Sequence, residues 1–200
     1  MMKSACRVPI RRTSFELSTY SFTVDVGAGG TVAVGVVGRF GYGDAIAANV
    51  VVGGVTATLF DYINSANSHV RFAIAVGVPA GTVEIAVTCS AVASRLGIHT
   101  WTINGADATG AASVAVNGTS ASIDAPAGGA LLAIGASINP ASQNIDWTGL
   151  AERTEWTNYG DTFGSGAADA EFGSASAGHA VEMTTDGNFL QIALLAVPPQ

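Results

Sequence analysis

The feature that most constrains the fold is an alternation of bulky and small side chains, interrupted at short intervals by glycine. In HVRFAIAVGV, residues 69–78, the bulky side chains occupy every second position, and TVEIAVTCS, residues 82–90, repeats the pattern. A period of two is that of a β-strand, whereas an α-helix repeats every 3.6 residues. The alternation predicts that Val76 lies on the same buried face as Phe72 and Ile74. Helix is predicted to be nearly absent.

Turn signals separate many such segments along the chain. The 25 glycines include tight-turn pairs such as Asn104-Gly105, and NVVVGGVTATLF, residues 49–60, reads as two strands joined at its two central glycines. Further strands are predicted at 20–26, 31–40, 48–53, 55–60, 98–104, 119–124, 130–138, 150–156, 168–176, 180–185 and 189–197. This many short strands are typical of an all-β, antiparallel two-sheet sandwich, and we expect a jelly roll. A chain of 200 residues can form one such domain, predicted at 15–200.

Charge is distributed unevenly between the N-terminus and the rest of the chain. Charged residues are only 12% of the total, about half the usual share. Half of the eight Lys and Arg residues lie in the first twelve positions: Lys3, Arg7, Arg11 and Arg12. The remaining chain has four cations against fifteen acidic residues. We therefore predict an extended basic arm at 1–14 that docks on an acidic neighbour, with a solvated terminus as the alternative.

The sequence contains no recognisable membrane or secretion signal. The N-terminal residues lack the apolar core of a signal peptide, and no apolar stretch is long enough for a membrane-spanning helix. The expectation is a protein made in the cytoplasm, with no membrane partner. Cys6 and Cys89 do not form a disulfide or zinc pattern, and Cys89 is predicted to be buried.

Two predicted strands have a second face made of small, uncharged residues. Ala33 and Gly35 alternate with valines, and Ala133 and Gly135 alternate with larger aliphatic residues. Solvent-facing strand positions usually carry polar or charged side chains, whereas small residues let another layer approach closely. We favour packing against sister subunits, with coverage by the same chain as the alternative.

Catalytic, cofactor and metal signatures are absent from the sequence. The glycine-rich segments at 27–35 and 38–43 match no nucleotide-binding loop, and no nucleophile elbow is present. His69, His99 and His179 lack the short spacing of metal sites, so they are read as strand or loop residues. Asp161, Asp169 and Glu171 offer carboxylates for calcium but fail the EF-hand spacing. No cofactor, no metal and no nucleic-acid partner are predicted, and the chain is not expected to be an enzyme.

A cluster of aromatic residues supports a second functional hypothesis. Trp147, Trp156 and Tyr159 lie close together in sequence near predicted loops. Exposed rings there would stack on sugars, so a carbohydrate-binding module that recognises a host glycan is the alternative function. Packing in the core or at its rim is the simpler role for such rings.

The order of several segments resembles a known family of proteins. These segments are YSFTVDVG, VAVGVVGRF, VVVGGVTATLF, AIAVGVPAGTVEIAVTCS, GIHTWTINGA, APAGGALLAIGA and WTGLAERTE. The series, from about residue 20 to the C-terminus, resembles β-sandwich virion proteins of tailed bacteriophages and prophages. The resemblance implies a non-enzymatic structural protein, such as a capsid decoration or cement subunit or a spike or fibre component, and it supplies no catalytic residues. Closed cyclic assembly is general for such proteins, and we expect a trimer located in the virion.

Overall fold

The computed structural model describes residues 2–10, 18–40, 47–65, 68–138, 145–158 and 163–200. For 2–10, 40, 64–65, 94, 154–158 and 189 it describes the backbone alone. Within these ranges the chain is built from β-strands and one short 3-10 helix, Ala108–Gly110. No helix in the described part of the chain has the length and apolar character needed to cross a membrane.

The strands fall into two successive sets. The first set is β1 (Met2–Ile10), β2 (Thr19–Asp25), β3 (Gly30–Phe40), β4 (Ala47–Val52), β5 (Val55–Thr56), β6 (Thr58–Ser65), β7 (Ser68–Val78), β8 (Thr82–Cys89) and β9 (Ala93–Ile103). The second set is β10 (Ala112–Asn117), β11 (Ser120–Ala125), β12 (Ala130–Ile138), β13 (Asp146–Thr148), β14 (Ala151–Asn158), β15 (Phe163–Glu171), β16 (Ser176–Thr184) and β17 (Asn188–Val197).

Each set forms two antiparallel sheets. The first inner sheet has the order β1-β9-β3-β7-β6, and the first outer sheet has the order β2-β8-β4-β5. The second inner sheet has the order β10-β17-β12-β15-β14, and the second outer sheet has the order β11-β16-β13. The prediction of an all-β, antiparallel sandwich is confirmed, but the chain forms four sheets and not the predicted two, because each half is itself a two-sheet sandwich. The jelly-roll order stays a prediction.

Three buried clusters show how the four sheets are layered. One cluster lies between the first outer and first inner sheets and includes Val34 and Ile85. The second lies between the two inner sheets and includes Trp101 and Ile134. The third lies between the second inner and second outer sheets and includes Met183. The molecule is therefore a stack of four layers, with the two inner sheets packed face to face.

The two halves share one topology and are related by an approximate two-fold axis. The inner-sheet order of the first half becomes that of the second when β1, β9, β3, β7 and β6 are replaced by β10, β17, β12, β15 and β14. Across the interface β3 crosses β12, β9 lies against β15, β7 against β17, β1 against β14 and β6 against β10. Exchanging the halves reproduces these five contacts, whereas the contacts of β7 with β12 and β10 and of β6 with β17 have no equivalent of similar extent, so the two-fold relation is only approximate. The sequence repeats as well, since TVDVGAGG at 23–30 matches SIDAPAGG at 122–129.

The close contact of β3 with β12 at the centre of this interface explains why residue 35 is a glycine. The spacing that relates residue 23 to residue 122 also relates Gly35 of β3 to Ile134 of β12. A Cβ atom on Gly35 would lie 2.5 Å from Cγ2 of Ile134 and 3.3 Å from the ring of Trp101. Gly35 therefore provides the space that Ile134 occupies near the axis. Equivalent positions carry different residues because only one of the two can be large.

The small-residue faces are covered by the chain itself, which corrects the prediction of packing against sister subunits at these faces. Ala33 is fully buried against the second inner sheet. Ala133 is fully buried beneath the second outer sheet, and a Cβ atom on Gly135 would collide with the side chain of Met183. Small residues at these positions allow close approach of another layer, as predicted, but that layer belongs to the same chain.

The alternation in β7 fails at its end. Phe72 and Ile74 are buried as predicted, but Val76 is 52% exposed. Gly77 adopts a left-handed φ of 76°, and the pairing of β3 with β7 shifts register between Gly30 and Val32. This irregularity breaks the period of two before Val78, so the prediction for Val76 is wrong.

The two-glycine segment at 49–60 forms the expected hairpin. Gly53 and Gly54 both have positive φ, 56° and 83°, and join β4 to β5. Such a turn suits glycine because other residues are strained there. After Ala57 the chain leaves the outer sheet and continues as β6 in the inner sheet.

Candidate functional site

The polar groups buried between the inner sheets form the first candidate site. Where β9 lies against β15, Asp169 is fully buried at the side of Trp101. The indole Nε1 of Trp101 donates to Oδ2 of Asp169 at 2.9 Å. Nε and Nη2 of Arg153, on β14, both lie 2.8 Å from Oδ1. Both carboxylate oxygens are thus bonded, and the carboxylate raises the pKa of Arg153 above its ordinary value through hydrogen bonding and charge.

A histidine and a serine form a second contact between the same two strands, with His99 two residues from Trp101 on β9 and Ser165 four residues from Asp169 on β15. Nε2 of His99 and Oγ of Ser165 are 2.6 Å apart, and both residues are buried. Gly97 makes room for the serine, because a Cβ atom there would lie 2.5 Å from Oγ. Burial lowers the pKa of His99 to about 4, so the imidazole is neutral at physiological pH.

The arrangement resembles a nucleophile–base pair only in part. In a catalytic triad the carboxylate bonds the histidine and orients it. Here Asp169 bonds Trp101 and Arg153 instead, and His99 is 4% exposed. The geometry suits a polar connection between the two halves. Sequence reasoning considered Asp169 only as a calcium ligand and missed this network, because Trp101 and His99 on β9 are more than 60 residues from their partners on β15.

A second polar cluster lies at the edge of the first inner sheet. Nε2 of His69 accepts from the amide of Ala47 at 3.2 Å, and Nη1 of Arg71 donates to the carbonyl of Ala47 at 2.8 Å. The guanidinium also lies 4.9 Å from the ring centroid of Tyr62. Burial, and next the charge of Arg71, lower the pKa of His69 to about 3. These groups tie the start of β4 to β7.

The third histidine and the two cysteines have separate surroundings. His179 lies on β16, where Nε2 is 2.9 Å from the carbonyl oxygen of Gly149 and the ring meets Phe172 edge-on. Cys89 is buried as predicted, and burial raises the pKa of its thiol to about 12. The side chain of Cys6 lies outside the described residues.

The described ranges contain no group of three His, Cys, Asp or Glu side chains that could hold a metal ion. Of the calcium candidates, Asp161 lies outside the described residues and Asp169 is bonded to Arg153 and Trp101. Glu171 is exposed beside a cleft of about 270 Å³ at one end of the inner sheets.

The basic N-terminal segment contains an edge strand. Residues 2–10 form β1, which pairs antiparallel with β9 from Met2 opposite Ile103 to Ile10 opposite Leu96. Lys3 and Arg7 lie in this strand, where the structure describes only their backbone. Arg11 and Arg12 lie outside the described residues. The backbone of the predicted arm thus extends the first inner sheet, and its binding of a partner stays a prediction.

The three aromatic residues of the carbohydrate hypothesis are not brought together by the described structure. Trp147 lies on β13 and packs against the third buried cluster, with its ring close to Gly135 and Gly166. Its Nε1 is buried and has no hydrogen-bond partner among the described residues. Trp156 lies on β14 in a different sheet, with only its backbone described, and Tyr159 lies outside the described residues. A sugar platform there stays a prediction.

Charge on the described surface is separated by layer. The strands of the two outer sheets contain no Lys or Arg. Their acidic residues are all exposed: Asp25, Glu84, Asp124, Asp146 and Glu182. The cations of the described strands are all in the inner sheets. Both outer faces of the stack are therefore acidic, and the basic residues of β1 lie at the edge of the layer between them.

No protein-family model matches this chain, and no curated protein matches its sequence.

Proposed function

We propose that the chain is a structural subunit of a bacteriophage particle, either a capsid decoration or cement protein or a component of a spike or fibre. It acts by adhesion to neighbouring virion proteins and catalyses no reaction. The observation that carries the proposal is the edge strand β1, which brings Lys3 and Arg7 to the side of a body with two acidic outer faces.

An edge strand suits adhesion for two physical reasons. The outer side of β1 has no strand partner among the described residues, so its amide and carbonyl groups can pair with another chain. The positive charges in and just after the strand attract an acidic neighbour, and the attraction weakens as salt screens it. Backbone pairing supplies affinity, and charge supplies the choice of partner.

The layered interior supports the same function. A decoration or fibre subunit has to keep its shape under load, and here each inner sheet is sealed on both faces by another sheet. The resemblance to phage β-sandwich virion proteins, carried by the segments from residue 20 onward, supports the assignment to a particle.

Location in the particle is the first test. An antibody raised against the recombinant chain would be used to probe density-purified particles of the phage or prophage that encodes it. Co-migration of the chain with particles at constant stoichiometry is expected. Its presence only in the unassembled fraction would refute the proposal.

The role of β1 is tested by changing charge without removing the strand. Deleting 1–14 would expose the edge of β9, so it confounds binding with folding. Lys3→Glu/Arg7→Glu keeps the backbone pairing and is expected to abolish salt-sensitive binding to particles that lack the chain. A variant with glutamate at four exposed outer-sheet positions, Thr23, Thr82, Ser120 and Ser122, lowers the net charge by the same four units elsewhere and serves as the matched control. Equal occupancy by both variants would remove β1 from the mechanism.

A further inference from the structure

Exposed sheet edges are sites where chains join, and most proteins protect them with charge, proline, bulges or short length. Seven of the eight outermost strands in the described sheets carry at least one such device. β1 has Lys3, Arg7 and Pro9, and β14 has three charged residues and a register shift. β6 has Asp61 and a register shift, and β11 has Asp124 and a register shift. β2 ends in Asp25, while β5 and β13 have only two and three residues.

β10 is the exception. Its six residues, ASVAVN, contain no charge and no proline, and they pair with β17 from Ala112 to Asn117 without a register shift. No strand in the described part of the chain pairs with its other side. Its four central residues are half-buried, and both of its ends are exposed. The strand is a neutral, regularly paired edge whose outward backbone groups pair with no other strand of the described part of the chain.

We propose that β10 is a self-association edge, where the β10 of a second copy adds antiparallel and joins the two second inner sheets into one. The occupant is a second copy because the strand is complementary to itself. Around a two-fold axis at Ala115, each Val114 lies opposite Val116 of the second copy. Each Ser113 lies opposite Asn117 of the second copy.

This register matches the faces of the strand. Residues directly opposite each other in an antiparallel pair point to the same side of the sheet, so the paired positions must have the same parity. Val114 and Val116 both pack toward the second outer sheet, whereas Ala115 packs toward the first inner sheet. Opposed valines bury apolar surface against each other, and the hydroxyl of Ser113 can hydrogen-bond the side-chain amide of Asn117. The chain carries a net charge of -7, so a neutral edge is also where two copies repel each other least.

The inference goes beyond the proposed function and does not depend on it. It is an alternative to the trimer expected from the sequence, and the mass in solution distinguishes the two. A failure to find the chain in particles would leave self-association intact, and a monomer in solution would leave particle binding intact.

Light scattering coupled to size exclusion tests the pairing on the full chain over a wide range of concentration. The parent is expected to approach twice the chain mass of 20.0 kDa. Ser113→Lys/Asn117→Lys places like charges opposite each other twice per dimer, and is expected to raise the dissociation constant about tenfold or more. Ser113→Lys/Asn117→Glu places opposite charges at the same positions and is expected to restore the dimer.

Controls separate pairing from folding. Thr82→Lys adds an exposed lysine to β8 and should leave the dimer unchanged, and thermal unfolding of each variant at low concentration verifies its fold. A monomeric parent, or a double-lysine variant that associates as tightly as the parent, would overturn the proposal. Loss of the dimer in both double variants would overturn the register centred on Ala115.

Discussion

Mild acid is expected to destabilise this protein through two buried histidines. Burial lowers the pKa of His69 to about 3 and of His99 to about 4, whereas an unfolded histidine has a pKa near 6.5. The unfolded chain therefore binds more protons than the folded chain between these values. The stabilisation is complete above pH 6.5 and is lost as the pH falls toward the folded pKa values.

The size of this destabilisation follows from how far the pH lies below the pKa of an unfolded histidine. A pH of about 5 is roughly 1.5 units below the unfolded pKa of 6.5, and one pH unit corresponds to about 1.4 kcal/mol. Each histidine should therefore lower the free energy of unfolding by about 2 kcal/mol. Together they should lower the free energy of unfolding by about 4 kcal/mol relative to neutral pH. Carboxylates contribute little to this difference because they remain largely ionised at about pH 5 in the unfolded chain.

Urea unfolding at neutral pH and at about pH 5 measures the difference, provided that the m-value is the same at both. His99→Gln keeps a polar group within reach of Ser165 but does not titrate, and His69→Gln does the same beside Ala47. Each variant should lose about half of the pH dependence, and the double variant nearly all of it. A double variant with the full pH dependence of the parent would refute the reasoning.

Three further perturbations test the interface between the halves. Gly35→Ala is expected to cost about 1–3 kcal/mol by collision with Ile134, and Ile134→Ala in the same chain should make the two effects non-additive in thermal unfolding. Arg153→Met leaves the carboxylate of Asp169 buried with one partner fewer and is expected to lower the free energy of unfolding by about 3 kcal/mol. Adding Asp169→Asn to the same chain removes the buried charge and should recover most of this loss, as measured by urea unfolding. Removal of 198–200 deletes two backbone hydrogen bonds to the connection after β9, and each lost bond should lower the free energy of unfolding by about 1 kcal/mol. Faster amide hydrogen exchange at the ends of β9 and β17 would report the loss.

The sequence predicted where the strands lie in the chain better than it predicted which surfaces pack against them. Alternation identified most strands, but it missed β1, which was predicted only as an extended arm. It also missed β10, a short strand of small and β-branched residues, and β13, which has three residues. It also placed the start of β15 too late, because GSGAA at 164–168 is too small and glycine-rich to show a pattern. Local periodicity responds to burial on one face, and β15 is buried over almost its whole length.

The layering could not be predicted from individual strands. A face of alanine and glycine indicates close approach of another surface, but it does not say which chain supplies that surface. One signal was available: the match of TVDVGAGG with SIDAPAGG implies two similar units within the chain. The buried Asp169 network left no such signal, since its partners come together only through the crossing of β9 and β15.

The approximate two-fold axis means that a single chain has the architecture that a homodimer forms from two chains. In a true homodimer every substitution appears twice, so equivalent surfaces cannot differ. Here they do differ: the contact of β9 with β15 is polar around Asp169, whereas the equivalent contact of β7 with β17 is apolar at Phe72 and Leu195. Likewise β1 is basic, whereas its counterpart β10 is neutral. Linking the two units in one chain lets each edge acquire its own binding partner.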